Sequence, residues 1–196
     1  MGLDLPPAAQ AKLLAYLDLL VKWNGTYNLT AVRDPAEMVT RHLLDSLAVL
    51  PCLHGATLAD LGSGAGLPGI PIAIARPDLA VTLIESNGKK ARFQREVVRT
   101  LPLPNVAVAQ ARVQDVQGRF DTVTARAFAS LGDMLAWGGH LLDENARWLA
   151  MKGHADAAEL AAVPAPFRVL AVHPLTVPGD PGERCVIELT RSGPRG

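Results

Sequence analysis

From Thr57 onward, short apolar runs alternate with helical stretches, and this alternation restricts the possible folds more than any other feature of the chain. Thr57–Leu61, Ala80–Glu85, Asn105–Gln110, Phe120–Ala125 and Arg147–Met151 read as buried strands. Pro68–Ala75, Gly88–Thr100, Ser130–Trp137 and Ala155–Ala162 read as the helices between them. Strands joined through helices run parallel, and a parallel sheet needs cover on both faces. Further on, Phe167–His173 and Arg184–Leu189 flank Pro178-Gly179-Asp180-Pro181-Gly182. Two strands about such a turn predict an antiparallel pair closing the sheet. The expected architecture is a doubly wound α/β domain with a mostly parallel sheet and an antiparallel last strand.

A different texture precedes it. Leu13, Leu14, Leu17, Leu20 and Val21 have the spacing of an amphipathic helix over residues 8–23. The polar, aromatic stretch Trp23-Asn24-Gly25-Thr26-Tyr27-Asn28-Leu29-Thr30 is expected to follow that helix. Asp34-Pro35-Ala36-Glu37 then predicts a second helix to about Leu50, with Asp34 as cap and Glu37 completing a capping box. Residues 1–56 are thus a helical extension and 57–196 the main domain, together one compact unit. At 196 residues the chain is long enough for a single packed core.

Cys52 and Cys185 are the only two cysteines and have no C-x-x-C spacing, which fits a reducing compartment. Residues 1–11 lack Lys and Arg, and Asp18 interrupts the apolar stretch Leu13–Val21, so no secretion signal or membrane span is expected. A cytoplasmic monomer is the default expectation. Lys plus Arg and Asp plus Glu number 19 each, which argues against a general polyanion binder. The charge is nevertheless uneven: Lys89, Lys90, Arg92, Arg95 and Arg99 crowd Gly88–Leu101 against a single acid, Glu96.

The chemistry-bearing segment is Leu58-Ala59-Asp60-Leu61-Gly62-Ser63-Gly64-Ala65-Gly66-Leu67-Pro68-Gly69. Four glycines after a strand end permit a tight turn into a helix and a close approach of backbone to a ligand. Glu85 ends the next strand, where a carboxylate accepts hydrogen bonds from ribose hydroxyls. Two cofactors remain open. Gly64-Ala65-Gly66-Leu67-Pro68-Gly69 matches the dinucleotide pattern G-x-G-x-x-G. Counted from Gly62, however, the third glycine of that pattern falls on Leu67, and Pro68 lacks an N–H for a pyrophosphate. S-adenosylmethionine suits the loop better.

The order of several motifs resembles the bacterial small-subunit ribosomal RNA guanine-N7 methyltransferases, the glucose-inhibited division protein B family. These are Lys22-Trp23-Asn24 with Tyr27-Asn28-Leu29-Thr30, Arg41-His42 with Asp45-Ser46, Asp60–Gly69, Arg112-Val113 and Arg126-Ala127-Phe128-Ala129-Ser130. Met151-Lys152-Gly153 and Gly182-Glu183-Arg184 extend the likeness over nearly the whole chain. The resemblance implies a Rossmann-like class I methyltransferase fold and methyl transfer from S-adenosylmethionine to N7 of one guanine of 16S rRNA, leaving S-adenosylhomocysteine. It implies cofactor contacts at Gly62, Leu67, Val113, Gln114 and Arg126; the reading of the loop and strand end adds Asp60, Gly64 and Glu85 to the expected site. The family usually has an acid at the position of Gln114. Arg112, Arg126 and Arg184 match its arginines at the cofactor and RNA site.

Guanine N7 carries a lone pair and no proton at neutral pH, so the expectation is alignment without a general base. A donor on N7 would occupy the attacking lone pair. Arg112, Arg126 and Arg184 are therefore expected on phosphate, O6 or the methionine carboxylate. Trp23, Tyr27 and Phe128 are candidates to stack on the target base, although Trp23 and Tyr27 read more simply as closing the helix core. Lys89, Lys90, Arg92 and Arg95 are expected on the RNA backbone, with Arg92, Arg95 and Arg99 sharing one helix face and Phe93, Val97 and Leu101 packing on the sheet. His42 and Asp45 read as a structural pair, and no metal site is expected. A non-catalytic S-adenosylmethionine or dinucleotide binder, serving regulation or ribosome assembly, is the alternative, and a small-molecule methyltransferase is a third reading.

Overall fold

The computed structural model describes residues 3–126 and 129–192, so Phe128 lies outside the described residues. Its helices are α1 (Pro7–Tyr27), α2 (Pro35–Met38), α3 (Asp45–Leu47), α4 (Gly69–Ala75), α5 (Gly88–Thr100), α6 (Leu131–Gly138) and α7 (Ala157–Ala161). Its strands are β1 (Thr57–Leu61), β2 (Ala80–Ile84), β3 (Val106–Ala109), β4 (Phe120–Arg126), β5 (Leu142–Lys152), β6 (Phe167–Pro174) and β7 (Cys185–Arg191). They form one sheet in the order β3-β2-β1-β4-β5-β7-β6. β1 pairs in parallel with β2 and β4, and β7 runs antiparallel to both β5 and β6. The chain reverses direction across the sheet between β1 and β4. In such a sheet, ligands bind at the carboxyl ends of the strands beside that switch point.

Alternate residues of β1 feed two cores. Leu58 packs with α1, α4 and α5 through Leu13, Tyr16, Ile70, Phe93 and Val97. Ala59 and Leu61 pack with Leu131, Met134, Leu135 and Trp148 on the other face. The helices before residue 57 therefore belong to the same core as the sheet.

Three local expectations are corrected. α1 runs through the polar, aromatic stretch to Tyr27, because Asn24 is buried and supports the turn that follows. Its Oδ1 accepts from Thr30 N at 2.9 Å, and Asn28, with φ 49°, ends the helix by donating its N–H to Asn24 O. The second helix is capped by Asp34, whose Oδ1 accepts from Ala36 N at 2.9 Å, but Glu37 lies 3.6 Å from Arg41 instead of closing a capping box. A π-helical turn, Val39–Leu44, then separates α2 from α3. β5 begins at Leu142, five residues ahead of the expected start, because the polar Asp143-Glu144-Asn145 reads as a loop although it is extended.

Candidate active site

The glycine loop leaves β1 at the switch point. Gly62, Gly64 and Gly66 have φ of 60°, 56° and 88°, a left-handed conformation that disfavours a β-carbon. A β-carbon on Gly69 would stand 2.4 Å from Leu83 Cδ2 and 2.8 Å from Asp60 Oδ2, so only glycine lets α4 begin this close to β1. Asp60 is fully buried, and its Oδ2 accepts from Gly69 N at 2.8 Å while its Oδ1 has no partner. Burial pushes its carboxyl up to about 7, offset in part by the Gly69 N–H and the Arg126 charge.

The loop is supported from behind. Gln94, fully buried on α5, donates its Nε2 to Ser63 Oγ at 2.8 Å and Gly64 O at 2.9 Å. Tyr16 of α1 donates its hydroxyl to Ala65 O at 2.9 Å. In front, Glu85 accepts from Gly64 N at 2.8 Å and Asn87 N at 2.7 Å, one bond on each carboxylate oxygen. The backbone amides of Ser63, Gly66 and Leu67 bond to carbonyls of the loop and β2. The glycine spacing predicts loop amides that face a ligand. The structure instead shows that most of them are already bonded, because the loop folds on itself.

A cleft of about 440 Å³ opens at this point, lined by Gly62, Glu85, Lys90, Arg112, Val113 and Gln114 among others, with Arg126 on its far side. Arg112 and Gln114 are exposed there, and Val113 is buried. Leu67 goes elsewhere: its side chain packs into the core with Ile70 and Leu83. A pyrophosphate would find Glu85 and few unbonded amides in this cleft, which disfavours a dinucleotide. The adenosine of S-adenosylmethionine fits, since Glu85 keeps a lone pair on each oxygen for ribose hydroxyls and Val113 offers an apolar wall.

Arg126, the last residue of β4, also lines a second cleft of about 540 Å³, with Arg41, His42, Asp45, Lys152 and Arg184. The buried Asp45 carboxylate holds it in place. Asp45 Oδ2 accepts from Arg126 at 3.0 Å, and its Oδ1 is 3.3 Å from Arg184 Nε. Arg126 also donates to Arg41 O at 3.1 Å, and Arg184 to Asp180 Oδ2 at 2.8 Å. The π-helical turn sets this up by carrying Arg41 and His42 just ahead of Asp45, a common use of such turns. His42 does not pair with Asp45: its Nε2 lies 2.8 Å from Thr30 Oγ1. Burial holds its imidazole below the usual range.

Lys152 donates to Ala129 O at 3.2 Å and to Glu159 Oε1 at 2.6 Å, and Glu159 accepts from Leu131 N. These bonds fix the chain at the start of α6, just past Arg126. Lys152 and Glu159 are site residues that sequence reasoning missed, and so is Asp45 as partner of the two arginines.

Of the basic residues of α5, Lys90 borders the first cleft, whereas Lys89, Arg92 and Arg95 border a separate one beside Tyr27. Arg99 leaves this group and pairs with Glu96 at 2.8 Å. Phe93 and Val97 are fully buried and Leu101 nearly so, as expected. Among the described residues, no group of three His, Cys, Asp or Glu side chains could hold a metal ion, and no helix is long and apolar enough to cross a membrane.

Several solved structures share the fold at low identity. TrmN from Thermus thermophilus aligns with a TM-score of 0.60 and 18% identity over 74% of this chain and 48% of that one. The glycopeptide N-methyltransferase MtfA gives 0.62 and 13%, over 81% and 100%. A variant of MtNAS in complex with S-adenosylmethionine gives 0.61 and 16%, over 95% and 77%. The sheet order and these neighbours place the chain in the class I S-adenosylmethionine-dependent methyltransferase fold. A family model described as rRNA small subunit methyltransferase G matches residues 9–186. Two relatives called ribosomal RNA small subunit methyltransferase G are similar over most of their length. The one from Xanthomonas campestris pv. campestris (strain B100) is 60% identical over 90% of this chain and 84% of its own. The one from Pseudomonas syringae pv. syringae (strain B728a) is 51% identical over 98% and 91%. The chain belongs to the rRNA small subunit methyltransferase G family.

Proposed function

We propose that this chain methylates N7 of one guanine of 16S rRNA, in the small ribosomal subunit or an intermediate of its assembly, in the cytoplasm. The observation that carries this reading is that Arg126 walls both clefts, one suited to adenosine and the other basic and open to an acceptor. Gly62, Gly64, Glu85, Val113, Gln114 and Arg126 hold the cofactor. Asp60 and Leu67 act on it through the loop that they anchor. When bound, S-adenosylmethionine would supply an activated methyl group: the unprotonated N7 lone pair would bond to the methyl carbon in line as the S–CH3 bond breaks and S-adenosylhomocysteine leaves.

The residues of the acceptor cleft then have two tasks, alignment and exclusion of water. Arg126 and Arg184 share Asp45, so their planar forks point in set directions and bind phosphate, guanine O6 or the methionine carboxylate. They stay off N7, where a donor would occupy the attacking electrons and a cation would oppose the developing ring charge. Arg112, exposed at the rim of the first cleft, takes up RNA phosphate. Lys89, Lys90, Arg92 and Arg95 add backbone contacts on α5.

The test is to incubate the protein with methyl-labelled S-adenosylmethionine and one of three acceptors: small subunits lacking the modification, ribosomal proteins stripped of RNA, or a panel of small-molecule acceptors. Label in 16S rRNA is the expected result. Label only in a small molecule would overturn the RNA reading. Tight cofactor binding with no transfer to any acceptor would favour a silent binding module.

A further inference from the structure

The cleft beside Tyr27 is not used by the chemistry above, although it is the most basic part of α5. It has a volume of about 830 Å³ and is lined by Tyr27, Asn87, Lys89, Arg92, Arg95 and Gln110 among others. No acid is among the lining residues, and Lys89 and Arg92 are both exposed. Arg95 donates to Gln110 Oε1 at 3.0 Å, which fixes its guanidinium at the cleft wall. Three cations converge on one opening.

An aromatic column reaches the same opening from the core. Fully buried Phe93 packs against Trp23 with ring centroids 5.6 Å apart. Trp23 stacks on Tyr27 at 5.2 Å with an interplanar angle of 29°. Tyr27, half-buried at the end of α1, is therefore held on one side by Trp23 while the rest of its ring borders the cleft. A ring held this way loses little further freedom when a base packs on it. The sequence offered Trp23 and Tyr27 as stackers of the target base. The structure places neither of them in the two clefts that share Arg126.

We infer that this cleft is a second nucleotide subsite, in which Tyr27 stacks an unpaired base of the rRNA and Lys89, Arg92 and Arg95 hold its flanking phosphates. The inference rests on the proposed rRNA substrate and specifies how that RNA is gripped away from the reacting guanine. A positive wall with an aromatic platform suits single-stranded RNA, because pairing hides the base faces that stacking needs. The cleft adjoins the cofactor cleft, since Asn87 and Gln110 of one are followed or preceded in sequence by Ser86 and Ala111 of the other. A strand seated on Tyr27 thus has a short path to Arg112 and on to Arg126.

The test measures binding of an unpaired RNA hexamer, and of the same sequence in a duplex, to the full chain as a function of salt. Tyr27→Leu is expected to weaken hexamer binding about tenfold without changing its salt slope, and Tyr27→Phe to leave it within about twofold. Arg92→Ala is expected to lower the slope by about 0.7. Cofactor affinity, unchanged in all three variants, reports that they fold. In a second measurement, a thiouridine-substituted hexamer crosslinked to the wild-type chain should label peptides from the end of α1 or from α5. Tyr27→Leu binding like wild type, equal Tyr27 dependence with the duplex, or crosslinks confined to other peptides would overturn the subsite. Methyl transfer to 16S rRNA is assayed on the same preparation. Transfer present with Tyr27 irrelevant removes this inference alone, whereas no transfer to any rRNA removes the reading on which it rests.

Discussion

Asp45 Oδ2 lies 3.0 Å from Arg126, and the other oxygen of the same carboxylate lies 3.3 Å from Arg184. The acid is almost completely buried, and the two guanidinium groups are about a quarter exposed. One carboxylate therefore sets the direction of both arginines that wall the acceptor cleft. Removing it leaves two partly buried cations facing each other. Asp45→Ala is expected to lower stability by about 3 kcal/mol and transfer by tenfold or more. Asp45→Asn should keep one bond, recover part of the stability, and still transfer slowly. Thermal unfolding and single-turnover transfer on unmodified subunits check this, and normal turnover in Asp45→Asn would refute the positioning role.

Gln94 supports the glycine loop at two points, the Ser63 hydroxyl and the Gly64 carbonyl. Its amide holds Ser63 and Gly64 from behind, while Glu85 holds Gly64 from the front. Gln94→Leu fills the space but releases the loop, so affinity for S-adenosylmethionine should fall about tenfold, consistent with two lost bonds of roughly 1 kcal/mol each, partly offset by the apolar replacement. Affinity for RNA should not change. Calorimetric titration with each ligand separates these outcomes.

Asp60 makes stability depend on pH. Its unfolded value is near 3.8 and burial raises it to about 7 in the folded chain. Below the lower value it is protonated in both states and has no effect. Between the two values the folded chain holds a proton that the unfolded chain has released, so stability falls as pH rises towards 7 and levels off above it. Asp60→Asn can still accept from Gly69 N and cannot ionise. Urea unfolding across this window should show the decline in the wild type, and a flatter profile in the variant.

Much of the fold was legible in the sequence because its signals are local. β1 and α5 begin and end where the apolar and helical patterns put them, and the turn at Pro178–Gly182 correctly joined an antiparallel pair. The glycine loop and Glu85 were legible for the same reason, since strand ends and glycine spacing are written within a few residues. What could not be read depended on distant partners. Asp45 meets Arg126 across 81 positions, and no spacing on its own helix marks it. A periodicity of 3.6 residues put His42 and Asp45 on one face, and both do line one cleft, but His42 bonds to Thr30 and Asp45 to the two arginines. Tyr27 looked like loop because Gly25 and Thr26 are weak helix formers, and packing of Trp23 on Phe93 overrides that preference. Lys152 stood within the Met151-Lys152-Gly153 motif, but nothing in the sequence tied it to Glu159, which it meets through folding.

The most direct test asks which atom receives the methyl group. Unmodified small subunits are incubated with the wild-type chain and S-adenosylmethionine, and the recovered 16S rRNA is then treated to break the strand wherever a guanine carries N7-methyl. One new break is expected, absent without the cofactor and strongly reduced with Arg126→Lys, which keeps the charge and loses the planar fork. A methyl group on the RNA that gives no break lies on an atom other than guanine N7, such as an exocyclic nitrogen or a ribose hydroxyl, which must lose a proton. That result would require a general base at the acceptor, and would contradict the alignment mechanism built on Arg126, Asp45 and Arg184.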